Sequence, residues 1–406
     1  MLEPTHNLLT TYSPTFLKKK GFKVLNLKPL YLLVPKRGFE PRQGNPYWTL
    51  NPARLPVPPL RPEAQGVARC FTLAISDLNI YNFQLNIVKV KTAEGNALMV
   101  YHDLPPGESA FSRTVATIGN FDGVHLGHRA ILDRVRQRAR ELEAQTVAIT
   151  FEPHPVKVLR PEVNLPLLTT QDQKLDLLAA AGLDAVVVLP FTREFAALPA
   201  REFVKQYFCD RLRAREVVVG HDYCFGKGRE GNIDLLREMG DVHGFSVQVV
   251  WAVEVQGAVV SSSLIRAMLR LGKVTEAGRL LGRPYGVGGR VVQGKGRGAK
   301  LLGVPTANIL TPNELLPASG IYAVRVRRGE ALLPGVANIG TCPTFDNGEL
   351  TLEVHLLEFS GNLYGESLEV QFVTRLREEQ RFPSIEALAA QIRTDIAVAR
   401  QVLALA

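Results

Sequence analysis

The stretch TVATIGNFDGVHLGHRAILDRVRQRARELEAQTVAITFE, residues 114–152, decides the fold. VATIGNF is apolar and β-branched enough for a buried strand, GHRAILDRVRQRARELE carries a helical apolar period, and TVAITFE reads as a second strand. Strand, helix and strand at this spacing make a βαβ unit. The alternation continues through QDQKLDLLAAAG (171–182), DAVVVLPF (184–191), AREFVKQYFCDRL (200–212), REVVVG (215–220), IDLLREMGDVHG (233–244) and FSVQVVWAV (245–253). The expectation is an α/β domain whose parallel sheet carries helices on both faces, with ligands bound beyond the carboxyl ends of the strands.

Beyond the amphipathic segment SLIRAMLRLGKVTEAGRLLG (263–282) the pattern changes. YGVGGRVVQG, GIYAVRVRRG, LLPGVANIG, LTLEVHLLEF and LEVQFVTRL are strands separated by Gly, Pro and Asn turns, and one helix follows at 384–403. This predicts a small antiparallel β-barrel with a C-terminal helix. The expected domains are residues 99–281 and 282–406, with the junction between Gly282 and Tyr285.

Residues 1–98 differ in kind. They hold 11 of the 26 prolines and 13 Lys+Arg against 5 Asp+Glu, so +8 of the net charge of +9 lies there. The nearly neutral remainder argues against phosphate-backbone binding as the main activity. The segment is expected to be a Pro-rich basic extension, either disordered or the product of a mis-assigned start, with Met99 as the alternative first residue. The four cysteines, Cys70, Cys209, Cys224 and Cys342, are far apart and form no CxxC pair, against a zinc module or disulfide framework and for a reducing cytoplasm. No apolar run approaches the ~18 residues that span a bilayer, and the N-terminal residues lack a signal-peptide pattern.

Two constellations carry chemistry. GNFDGVHLGH (119–128) lies between the first strand and helix of the α/β domain. Its glycines let the backbone approach a phosphate, and the helix start offers free N–H groups to it. His125 and His128 can donate to phosphoryl oxygens as charge builds there. The same i, i+3 pair also reads as a helix-start surface pair or as metal ligands. GKGRGAKLLGVPTANI (294–309) joins a glycine-rich stretch to a hydroxyl and an amide oxygen suited to Mg²⁺ and phosphate. Alone, a glycine-rich stretch in a β domain is also an ordinary turn.

GNFDGVHLGH resembles the nucleotide-binding signature of the nucleotidylyltransferase superfamily, in its flavin-adenylylating branch. TFEPHP (150–155), VGHDYCFGKGREGN (219–232) and SSSLIR (261–266) follow in the order of that branch, the last with Ser263 where Thr is usual. GKGRGAKLLGVPTANI, GVANIGTCPTF (335–345) and LEVHLLEFSGNLYG (352–365) resemble the riboflavin kinase domain. Residues 99–406 thus resemble the bacterial bifunctional riboflavin kinase/FAD synthetase family. The resemblance implies a Rossmann-like adenylyltransferase domain followed by a barrel kinase domain. Riboflavin and ATP would give FMN, and FMN and ATP would give FAD and pyrophosphate. It further implies Mg²⁺ with ATP, flavins as substrate and product with no tightly bound redox cofactor, a monomer or weak homo-oligomer, and no nucleic-acid or membrane partner. The rivals are a kinase with an inactive first domain and a flavin- or nucleotide-binding regulator without turnover.

By that resemblance, Glu353 is the catalytic base of the kinase, which a solvent-facing Glu on an alternating strand also fits. Thr306 and Asn308 hold the metal, Thr306 also the ATP phosphates, and Gly294, Gly296 and Gly298 give backbone room. In the first domain Gly119, Asn120, Phe121, Asp122 and Gly123 form the nucleotide loop, with Asp122 equally readable as a turn-stabilising carboxylate. His125 and His128 are catalytic donors, while Ser262, Ser263 and Arg266 clamp the triphosphate. The flavin side is assigned Pro153, Asp222, Phe225, Arg229 and Arg377. Phe225 also fits the core, and Arg377 a surface charge.

Overall fold

Thr114–Ile118 forms a strand, β3, in which every residue is buried, the burial expected of a central parallel strand covered on both faces. The computed structural model describes residues 87–91, 97–104, 109–294, 303–341 and 350–405. In chain order, β1 (Ile87–Lys91), β2 (Ala97–His102) and β3 precede helix α1 (Leu126–Glu141) and β4 (Gln145–Glu152). Then come α2 (Gln171–Ala180), β5 (Ala185–Pro190), α3 (Ala200–Phe203, continued by a π-helical stretch Val204–Arg211) and β6 (Ala214–Gly220). They are followed by α4 (Ile233–His243), β7 (Ser246–Val250) and a two-residue hairpin, β8 (Glu254–Val255) with β9 (Ala258–Val259). The sheet order is β1-β2-β5-β4-β3-β6-β7, parallel throughout except for the antiparallel pair β1–β2. Chain order reverses between β3 and β6, the switch point beyond which ligands bind in such sheets.

Alternation along the strands divides the core. Ala116, Ile118, Val147 and Ile149 face the cluster that packs α3 and α4. Val115, Ala148 and Val186 face the one that packs α1 and α2. One expected boundary moves: residues 87–91 and 97–98 lie upstream of 99 yet belong to the sheet, with Ile87 opposite Tyr101 and Val90 opposite Leu98. β1 is one short strand in an otherwise aperiodic, Pro-rich stretch, so its own sequence gives it little contrast.

Helices α5 (Ser262–Arg270) and α6 (Val274–Leu281) lead into β10 (Tyr285–Val292), β11 (Ala307–Leu310), β12 (Gly320–Arg328), β13 (Ala331–Thr341), β14 (Leu350–Leu356) and β15 (Ser367–Arg377). These six strands close into an antiparallel barrel in the order β10-β11-β14-β13-β12-β15, and α7 (Ile385–Leu405) packs outside it on β12 and β13. Apolar residues of α5 and α6, with Leu168 from the first domain, share one cluster with the barrel interior. The two domains therefore meet through a continuous apolar core.

Candidate active sites

The loop after β3 is held at every peptide from Asp122 to Val124. The Asp122 carboxylate accepts from the backbone N–H groups of Leu168 (3.0 Å) and Thr169 (3.1 Å) and from Arg266 Nη2 (2.5 Å). Its carbonyl accepts from Ser262 Oγ at 2.9 Å. Gly123 N–H donates to Thr169 Oγ1, and the carbonyls of Gly123 and Val124 accept from Arg283. Gly123 has φ +82, and a Cβ there would meet Leu168 Cδ1 at 2.7 Å, so only glycine fits. Phe121 (φ 49) and Val124 (φ 38) take left-handed conformations without that freedom, strain of the kind that gathers where surroundings over-determine the backbone.

This loop delivers His125 as the N-cap of α1, its Nδ1 accepting from the backbone N–H of His128 at 3.3 Å. A ring nitrogen that accepts carries no proton, so the neutral His125 ring bears its hydrogen on Nε2. His128 stacks on it at 3.7 Å between centroids with 15° between planes, and Phe121 meets His128 edge-on. Burial lowers the His125 pKa to about 4. Burial, with the repulsion that a protonated ring would meet from a protonated His125 and from Lys174, holds His128 well below its ordinary value. Both rings are neutral donors at pH 7.

Above them lies a cavity of about 680 Å³, within the usual range for small-molecule sites. It opens at the carboxyl ends of β3, β4, β6 and β7, as the switch point predicts. Gly119, Asn120, Phe121, His125 and His128 line one part; Phe151, Phe191 and Phe195 form an aromatic wall beyond β4 and β5, and Trp251, beyond β7, lines the cavity beside His221. Asp222 and Arg229 are exposed residues at its edge. Phe225 is both wall and core: it is 8% exposed, stacks on Tyr223 at 5.2 Å, and touches the cluster under the sheet.

Three expectations shift in detail. Of the two prolines of TFEPHP, Pro155 lines the cavity and Pro153 is exposed. Of SSSLIR, Ser261 lines the cavity and caps α5, Ser262 is tied to Asp122, and Ser263 is exposed. Arg266 does not lie open for a triphosphate: its side chain is 7% exposed, with Nε on the Pro166 carbonyl and Nη2 on Asp122. The buried carboxylate needs a cation more than the surface does, and it draws the guanidinium inward. The sequence offered no sign of Lys174, Trp251 or Arg283 as part of this site. Lys174 is buried on α2, donates to the Phe151 carbonyl at 3.3 Å, and has its pKa lowered by burial.

The second site lies on the outside of the barrel. Asn308 on β11 pairs with Glu353 on β14, which pairs with Asn338 on β13, so the three side chains share one row of one face. Their sequence neighbours Ala307, Ile309, Leu352, Val354, Ala337 and Ile339 are buried inside. Thr306 Oγ1 donates to Glu353 Oε2 at 3.3 Å, and the His355 ring bonds the Pro305 carbonyl through Nδ1 at 2.8 Å, fixing the Pro-Thr turn against β14. A Cβ at Gly294 would fall 2.0 Å from Asn308 Nδ2, so a larger residue there would push the Asn308 carboxamide out of its place. Gly296 and Gly298 lie outside the described residues. Asn338 was not anticipated; its Oδ1 is buried beside Glu353, with no hydrogen-bond partner among the described residues.

Arg377 departs from its flavin-side expectation. Its guanidinium makes a forked pair with Asp395 of α7, Nη2 to Oδ2 at 2.8 Å, and so fastens the C-terminal helix to β15. Among the described residues no group of three or more His, Cys, Asp or Glu could hold a metal. No described helix is long and apolar enough to cross a membrane.

Comparison with known proteins gives two family-model matches, FAD synthetase over residues 108–264 and riboflavin kinase over residues 281–403. A bifunctional riboflavin kinase/FMN adenylyltransferase from Pseudomonas fluorescens is 43% identical over 71% of this chain and 93% of its own. Its counterpart from Escherichia coli K12 is 40% identical over 71% and 92%. A solved structure described as a macrolide-efflux protein from Streptococcus pneumoniae is 31% identical, covers 73% of this chain and 95% of that one, and superposes with a TM-score of 0.67.

Proposed function

This chain belongs to the family of bifunctional riboflavin kinases/FMN adenylyltransferases, and we propose that it phosphorylates riboflavin at the barrel and adenylylates the resulting FMN at the sheet. The observation that carries this reading is that two separate polar constellations, His125–His128 and Thr306–Glu353, each sit within the span of the matching family model.

At the sheet, an oxygen of the FMN phosphate attacks the α-phosphorus of ATP, the bond to the β-phosphate oxygen breaks, and pyrophosphate leaves. FMN phosphate is already anionic near neutral pH, so the step needs orientation and charge stabilisation rather than a base. Nε2–H of His125 supplies a neutral donor to the phosphoryl oxygens, and His128 stacked on it keeps that ring from turning. The aromatic wall of Phe151, Phe191 and Phe195 suits an isoalloxazine ring, with Phe225, Asp222 and Arg229 at its margin. Arg266 acts by neutralising Asp122, which holds the loop in place.

At the barrel, Glu353 accepts the proton of riboflavin's terminal ribityl hydroxyl as that oxygen attacks the γ-phosphorus and ADP leaves. The Thr306 hydroxyl and the Asn308 carboxamide are hard oxygen donors and would hold a Mg²⁺, which when bound would neutralise charge on the phosphates. The substrates are riboflavin, FMN and ATP, and the cytoplasm is the compartment we assign.

The test is chromatography of flavins after incubation with riboflavin, ATP and Mg²⁺. Successive appearance of FMN and FAD is the expected outcome. FMN alone would demote the first domain to a remnant, and binding without product would favour a regulator.

A further inference from the structure

Arg283 is the second residue beyond α6, on the short link Gly282–Pro284 that enters the barrel. Its guanidinium reaches back into the other domain, donating through Nη2 to the Gly123 carbonyl at 2.8 Å and through Nη1 to the Val124 carbonyl at 3.2 Å. These are the two peptides immediately before His125. One of them belongs to Val124, whose left-handed backbone has little intrinsic preference for its conformation.

The barrel fixes the place from which Arg283 reaches. Gly282 ends α6 in a left-handed cap, and Tyr285 is 3% exposed and donates its hydroxyl to the Leu315 carbonyl at 2.8 Å. Further bonds hold the same junction: Asn313 Nδ2 donates to Gln173 Oε1 at 2.7 Å, and Leu167 N–H donates to Glu314 Oε2 at 3.0 Å. The link is therefore a rigid bracket.

We propose that Arg283 is a positioning residue for adenylyl transfer: a side chain from the barrel's entry link sets the loop that presents His125 to the nucleotide. This rests on the assignment of FMN adenylylation to the sheet domain. A planar guanidinium can grip two successive carbonyls at once, whereas an ammonium on a single flexible stem cannot match that fork. Loss of the grip frees the Gly123 and Val124 peptides to turn, and His125 moves with them. Displacements of about 1 Å at a catalytic group typically cost on the order of a hundredfold in rate.

The experiment measures both activities in the same preparations of full-length wild type, Arg283→Lys and Arg283→Met. For FMN to FAD we expect kcat to fall about a hundredfold in Arg283→Met and about tenfold in Arg283→Lys, with KM for ATP and FMN little changed. Riboflavin to FMN, the internal control, should stay at the wild-type rate. Should Arg283→Met fail to fold, Arg283→Lys alone decides. An unchanged FAD rate, a loss confined to KM, or an equal loss of both activities would overturn the proposal. A wild-type enzyme that makes FMN but no FAD would instead remove the reading on which it rests.

Discussion

Replacing Asp122 by asparagine tests how the nucleotide loop is built. Its carboxylate lies 6% exposed beneath the loop and accepts two backbone N–H groups, the Thr169 hydroxyl and the Arg266 guanidinium. Asparagine has one acceptor oxygen, so its NH₂ must face either the guanidinium or the amides of Leu168 and Thr169. It also leaves Arg266, 7% exposed, without a carboxylate opposite it, so that among the described residues neutral oxygens such as the Pro166 carbonyl must answer the guanidinium. Breaking a buried pair in this way costs about 3–5 kcal/mol. At roughly 2–4 °C per kcal/mol for a domain of this order of size, the melting temperature should fall by about 10 °C. Arg266→Met should cost less, because the remaining carboxylate keeps its Leu168 and Thr169 donors. The double variant should recover most of the loss, with a coupling of about 2–3 kcal/mol between residues that touch. Calorimetric unfolding of the four proteins, with FAD formation assayed alongside, supplies the numbers. Additive single losses would refute the account of Arg266 as the counter-ion of Asp122 and return it to the surface as a phosphate clamp.

Other outcomes follow from the same geometry. Glu353→Gln should lower riboflavin phosphorylation by about 10²–10⁴ while leaving conversion of supplied FMN to FAD intact, as two independent assays would show. His125 and His154, each with pKa lowered to about 4 by burial, bind protons in the unfolded chain before they do in the folded one. Their contribution is complete above pH 6.5 and is lost as pH falls toward 4, at about 1.4 kcal/mol per pH unit for each; a melting series that stayed flat over that window would contradict their burial as neutral rings. Arg377→Met should lower stability, read as the urea midpoint, without weakening flavin binding, because its partner is Asp395 and not a ligand.

The βαβ alternation, the change to a barrel and both motif loops could be read because each depends on local periodicity or on spacing within about ten residues. What stayed hidden depends on distant partners. Asp122 and Arg266 are 144 positions apart, so the sequence shows a loop carboxylate and a helix arginine but not that they neutralise each other. Arg377 met Asp395 for the same reason, and Arg283, beside a proline at a domain junction, reads as punctuation. Asn338 lies in a stretch already recognised as a strand, yet only the register opposite Glu353 marks it.

The outer row of the barrel separates chemistry from packing by parity. On β14, Thr351, Glu353 and His355 face out while Leu352, Val354 and Leu356 fill the interior. Point changes at the odd positions therefore fall on the chemistry and on the Pro-Thr turn rather than on the packing of the interior. A one-residue insertion or deletion within the strand would exchange the two sets, putting a carboxylate and an imidazole among leucines and valines. Divergence along this strand should thus proceed by substitution at constant length, with length variation confined to the turns that join it to its neighbours.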